Sequence, residues 1–172
     1  MGRSEEPQER NRSKPEGVQN PRAESGYAAK WDKISPVIIE NHGGNKRILI
    51  VDDDEGIRCA LLAALSAMGY EAAAASSGAE ALNVFLRNPF DLVITDLQMP
   101  GMDGWTLASL IKDRFPNTPV VLMTGKQKEE VMKDQKGRCI DSALFKPLGL
   151  QQLQEELKKM LGIEPLVMNP PR

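Results

Sequence analysis

Apolar residues are unevenly spread along this chain. Residues 1–26 (MGRSEEPQERNRSKPEGVQNPRAESG) hold three prolines, many charges and almost nothing apolar. They cannot bury enough surface to offset the entropy of ordering, so the segment reads as disordered. Residues 27–40 (YAAKWDKISPVIIE) scatter Tyr27, Trp31, Ile34, Val37, Ile38 and Ile39 among polar positions. That pattern reads as a loosely ordered linker, with a short docking segment as the sharper alternative. His42-Gly43-Gly44-Asn45 then reads as a flexible joint.

From Lys46 the pattern alternates. Continuous apolar runs at 47–52 (RILIVD), 91–95 (DLVIT) and 119–123 (PVVLM) predict strands buried on both faces. A short fifth strand is expected at 143–145. Residues 54–68 carry Ile57, Leu61, Leu65 and Met68 at helical spacing, and Gly69 ends that helix. Further helices are expected at 78–87, 105–114, 126–136 and 150–161. Residues 71–75 (EAAAA) favour helix by propensity. Their place between Gly69-Tyr70 and the turn Ser76-Ser77-Gly78 predicts a strand instead. Five strand–helix units within 46–161 imply an α/β fold with a parallel sheet and helices on both faces. Residues 1–45 then form an N-terminal tail, of which residues 1–26 are expected to be dispensable for the fold, and residues 162–172 a short C-terminal one.

Composition narrows the function. The chain has 172 residues, a net charge of −2 and 5% aromatics. A sequence pI of about 5.6 is the opposite of a nucleic-acid binder's. Cys59 and Cys139 form no CxxC pair, and His42 is the single histidine, which excludes a Cys/His zinc site. No stretch resembles a signal peptide or is long enough to cross a bilayer, so the expected location is the cytoplasm.

In doubly wound sheets the reactive groups gather at the carboxyl ends of the strands. The first strand ends in Asp52-Asp53-Asp54, the third in Asp96, the fourth in Thr124 and the fifth in Lys146. Crowded carboxylates repel unless a cation sits among them. Hard oxygen ligands with open positions suit Mg²⁺, which accepts one or two carboxylates plus a phosphate. Lys146 and Thr124 can contact the oxygens of that phosphate. The set describes phosphoryl transfer to a carboxylate, with Asp96 as nucleophile. Each residue also has an ordinary reading: helix caps for Asp52 and Asp53, a turn aspartate for Asp96, a solvated lysine, a loop threonine. Four such coincidences on one sheet edge argue against those readings.

The segments ILIVDDDEGIR (48–58), DLVITDLQMPGMDG (91–104), VVLMTGK (120–126) and LFKP (144–147) resemble the receiver domains of two-component response regulators. The resemblance spans 46–161 and implies sheet order 2-1-3-4-5. It implies Asp96 as phosphoacceptor, with Asp53, Asp96 and the Gln98 carbonyl as direct magnesium ligands and Asp52 acting through water. Thr124 and Lys146 resemble the phosphoryl-sensing pair, and Lys146-Pro147 is expected to be cis. A sensor histidine kinase or a phosphotransfer protein is the implied donor, and an unspecified protein the implied target. No direct role at nucleic acid or membrane is expected, and no enzyme activity beyond the chain's own phosphorylation and dephosphorylation.

The sequence departs from the family at three places. Ala143 stands where an aromatic ring is usual, Cys139 where a glycine is common, and the helix at 126–136 has only Val131 and Met132 as apolar anchors. GIEPLVMNPPR, after the last helix, is too short for an output domain, which predicts a stand-alone receiver. Two other functions compete with the switch. Ala143 and the weakly anchored helix suit a non-switching interaction module of receiver fold. An aspartyl phosphatase would want a second acid two residues after the nucleophile, where Gln98 stands.

Overall fold

The computed structural model describes residues 45–133 and 139–162. The readings for residues 1–44, for 134–136 of the predicted fourth helix, for Gly137 and for 163–172 lie outside these residues. The five strands are β1 (Arg47–Val51), β2 (Glu71–Ala75), β3 (Leu92–Asp96), β4 (Val120–Thr124) and β5 (Ser142–Phe145). The helices are α1 (Glu55–Ala67), α2 (Gly78–Arg87), α3 (Gly104–Arg114), α4 (Lys128–Lys133) and α5 (Leu150–Leu161). All strand pairs are parallel, in the order β2-β1-β3-β4-β5. This is the doubly wound sheet that the alternation and the resemblance imply.

Strand alternation divides the core into two layers. Leu49, Val51 and Val93 face Leu82, Phe85, Leu107 and Ile111 on one side. Ile48, Ile50, Ile94, Val121 and Met123 face Leu61, Leu65, Leu153 and Leu157 on the other. A third, smaller cluster joins Leu97, Trp105, Leu122 and Val131 near the carboxyl edge, with Ala143 and Phe145 packed against it.

The EAAAA segment is indeed the edge strand β2, in register with β1 from Arg47↔Glu71 to Val51↔Ala75. Ala72 and Ala74 pack on the α1 layer and Ala73 on the α2 layer. Backbone pairing and two covered faces override helix propensity here.

The ends of elements shift by a residue or two where side chains claim the backbone. Asp52 and Asp53 are not caps: Asp54 caps α1, its carboxylate accepting from the Ile57 amide at 3.0 Å. Asp91 precedes β3 and accepts from the Arg47 amide and the Lys46 ammonium. Asp103 caps α3, so that helix starts at Gly104, one residue before the expected Trp105. The expected helix start at Lys126 is corrected to Lys128, because the Lys126 amide donates to Thr124 Oγ1 at 3.0 Å and belongs to the β4–α4 turn. Ser77 caps α2, and Glu80 reaches back to the Ser76 amide and hydroxyl, a reciprocal cap. The hydrogen bonds from the Ser76 hydroxyl and amide hold the Glu80 pKa below its ordinary value.

Candidate functional site at the carboxyl edge

The carboxyl ends of β1, β3, β4 and β5 converge on one edge, and Lys146 ties them together. Its ammonium lies 2.6 Å from Asp96 Oδ1 and 3.1 Å from Asp52 Oδ2. Asp52 is 1% exposed and Asp96 6%, whereas the Lys146 side chain stays 29% exposed. Burial opposes the lysine's charge. The hydrogen bonds to Asp96 and Asp52, with the attraction of both carboxylates, outweigh it and hold the Lys146 pKa above its ordinary value. The ordinary reading of a freely solvated lysine is therefore replaced by a bridging one.

Asp96 is held from both sides. Its Oδ2 accepts from the Gln98 amide at 2.6 Å, and the Thr95 hydroxyl donates to its carbonyl at 3.0 Å. Behind that carbonyl lies Gly104. A Cβ there would press into the Asp96 carbonyl oxygen and the Leu122 side chain, so the start of α3 can approach β3 this closely only as glycine. Gly101, at φ +80°, turns the chain between Pro100 and Met102.

Thr124 is buried at the end of β4, and its carbonyl accepts from the Lys146 amide at 2.8 Å. The Lys146–Pro147 peptide is cis. Asp53 faces outward and lines an open cleft of about 630 Å³ with Gln98, Trp105 and Lys126. Asp52, Asp96 and Lys146 thus form one hydrogen-bonded group, Thr124 joins it through the main chain, and Asp53 and Gln98 lie along the adjoining cleft.

Among the described residues no three acidic side chains close into a complete cage for a metal. The carboxylates at this edge are oxygen donors: Asp96 at the end of β3 and Asp53 along the cleft that Gln98 also lines. An all-oxygen, incomplete set fits Mg²⁺, which keeps several waters and takes few protein ligands. On the far side of Lys146 a second groove of about 400 Å³ runs between α1 and α5, lined by apolar residues including Ala60, Leu61 and Leu150. Leu150 is 65% exposed.

Three residues to which the sequence reading assigns no role also contribute. Arg58 donates to two main-chain carbonyls of the acidic loop. Trp105 and Lys126 line the cleft. Their residue types at those positions are ordinary for a helix start and a turn, which is why chemistry-based reading passes over them.

Comparison with known proteins agrees with this geometry. The profile of the response regulator receiver domain matches residues 48–158. Sporulation initiation phosphotransferase F of Bacillus subtilis is 31% identical over 120 residues, covering 70% of this chain and 97% of that protein. Response regulator FleR of Pseudomonas aeruginosa is 47% identical over 78 residues, 45% of this chain but 16% of FleR. The sensor histidine kinase RcsC of Salmonella typhi is 37% identical over 114 residues, 64% of this chain and 12% of the kinase. The chain therefore spans under a fifth of FleR and RcsC. Among solved structures, response regulator TrrA of Thermotoga maritima, in complex with Mg²⁺-BeF, aligns with a TM-score of 0.64 and 35% identity. That match covers 67% of this chain and 99% of TrrA. Among the described residues no helix is long and apolar enough to cross a membrane.

Proposed function

We propose that this chain, which belongs to the family of response regulator receiver domains, accepts a phosphoryl group on Asp96 and passes the signal on through protein contacts. The observation that carries the reading is the bridge of Lys146 to both Asp96 and Asp52 on a buried sheet edge. One Asp96 carboxylate oxygen forms the new bond to phosphorus as the donor's bond to phosphorus breaks. Lys146, already 2.6 Å from Oδ1, stays against the transferred group and offsets its charge. Thr124 releases its turn contact and donates its hydroxyl to a phosphoryl oxygen. Asp53, Asp96 and the Gln98 carbonyl would hold Mg²⁺, with Asp52 acting through water. The cation supplies neutralisation of the charge that builds on the phosphoryl oxygens.

The donor is a sensor histidine kinase or a phosphotransfer protein. Support comes from relatives that are themselves a sensor kinase and a phosphotransferase. The chain acts in the cytoplasm and has no enzyme activity beyond turnover of its own aspartyl phosphate.

Acetyl phosphate with Mg²⁺ tests the assignment. Wild-type chain should take up one phosphoryl group, and Asp96→Asn, which keeps the shape but not the nucleophile, should take up none. Undiminished labelling of Asp96→Asn rules out Asp96 as acceptor. The second reading, a module that no longer switches, draws on Ala143, whose methyl sits where a ring would move. Wild-type chain that takes up no phosphoryl group at all favours it.

A further inference from the structure

Arg58 lies in the first turn of α1, and a single nitrogen, Nη1, donates to the Asp52 carbonyl at 2.8 Å and the Asp53 carbonyl at 2.9 Å. These two residues send their carboxylates to different places. Asp52 turns inward, where Oδ1 accepts from the Asp54 amide and Oδ2 from Lys146. Asp53 turns outward into the cleft. The peptides between β1 and α1 must keep one geometry for both directions to hold. The Asp52 amide is tied to the Ala75 carbonyl at 3.2 Å, and the Asp54 side chain is committed to capping α1. Among the described residues, Arg58 is what grips the Asp53 carbonyl.

We infer that Arg58 is a positioning residue for the cation site: by clamping the Asp52 and Asp53 carbonyls it aims the Asp53 carboxylate into the cleft. The inference rests on the phosphoacceptor reading above and assigns a role to a residue outside the acid, threonine and lysine set. Mg²⁺ demands near-ideal octahedral geometry and dehydrates reluctantly, so a small error in one of two carboxylates is felt strongly. Loss of groups that orient metal ligands typically costs 10- to 100-fold in metal affinity.

The test titrates MgCl₂ into the full chain carrying Trp31→Phe, so that emission reports Trp105, which lines the same cleft as Asp53. Arg58→Met should weaken Mg²⁺ binding by roughly 10- to 100-fold. Arg58→Lys, with donors on a shorter stem, should recover part of it. Phosphorylation of Asp96 by acetyl phosphate should show the same split. The half-saturating Mg²⁺ rises in Arg58→Met, while the rate at saturating Mg²⁺ returns to that of the parent. A brace that only stabilises the turn would lower the thermal midpoint without moving the Mg²⁺ dependence, and that result overturns the proposal. If Arg58→Met fails to fold, Arg58→Ala, which also carries no side-chain donor, makes the same comparison, and an unmoved Mg²⁺ curve there is equally decisive against it. A parent chain that neither binds Mg²⁺ nor labels at Asp96 overturns the phosphoacceptor reading as well. A parent that does both, with variants indistinguishable from it, overturns the role of Arg58 alone.

Discussion

At the scale of single residues the site is governed by one ammonium between two carboxylates. Asp52 is almost wholly buried, so without Lys146 it would lose the ammonium that it shares with Asp96. The folded-state pKa of Lys146 lies above the 10.5 of the free side chain. A pKa raised on folding means that the charged lysine's stabilisation is complete below 10.5 and is lost as the pH rises through the folded value. Lys146→Met should therefore lower stability by roughly 1–3 kcal/mol, evenly between about pH 7 and about pH 9. Above 10.5 the gap to the parent should narrow. Urea midpoints across that range check it, and a gap that stays constant into strong base means the ammonium charge contributes nothing. Arg58 belongs to the same scale. Its two carbonyl bonds are invisible to a reading based on residue chemistry, because a lone arginine in a first helical turn is ordinary.

Among the elements, the start of α3 and the end of β3 are the tightest contact at the site. A methyl group on residue 104 has nowhere to go, since it meets the Asp96 main chain first and the Leu122 side chain next. Gly104→Ala should cost about 1–3 kcal/mol as overpacking, despite alanine's better helix propensity. Chemical denaturation measures this, and a neutral or stabilising result would mean that α3 can slide away from β3 freely. The buried runs that became β1, β3 and β4 were legible in the sequence because a strand covered on both faces is apolar at every position. The strand-end residues Asp52, Asp96, Thr124 and Lys146 were legible because the parallel topology forces strand ends together. The edge strand β2 was legible only from its neighbours, since alanine favours helix until β1 pairs with it. The start of α4 was misjudged, because the turn bond from Lys126 to Thr124 depends on where β4 ends. The close approach at Gly104 has no one-dimensional signature, as the glycine reads equally well as part of the turn after Pro100.

Across the whole molecule, the question is how an event at Asp96 could reach a partner. The sheet separates two packed layers, and the carboxyl edge that carries Asp96 touches a third cluster that belongs to neither. Leu97, the residue after Asp96, packs there with Trp105, Leu122 and Val131, and Val131 is the buried anchor of α4. Ala143 pairs with Leu122 across β4 and β5 and contributes only a methyl group. A ring swinging inward at that position is therefore unavailable, and the packing that links this edge to α4 is that of Leu97 and Trp105 with Val131. Among its described residues, Lys128–Lys133, Val131 is buried in this cluster, so the stability of the helix should follow the state of the cluster. Beryllofluoride with Mg²⁺, a mimic of the phosphoryl group, should alter amide exchange across residues 125–133 and at Cys139 and Ile140. Amides of α1 and α5, which pack on the opposite layer, should change much less. Thr124 moving to the phosphoryl group would also break its bond to the Lys126 amide, so that amide should be among those that respond. If the mimic is bound at Asp96 while exchange over 125–133 is unchanged, the edge accepts the group without sending a message through α4. The chain would then be an interaction module that carries a phosphoryl group without being switched by it.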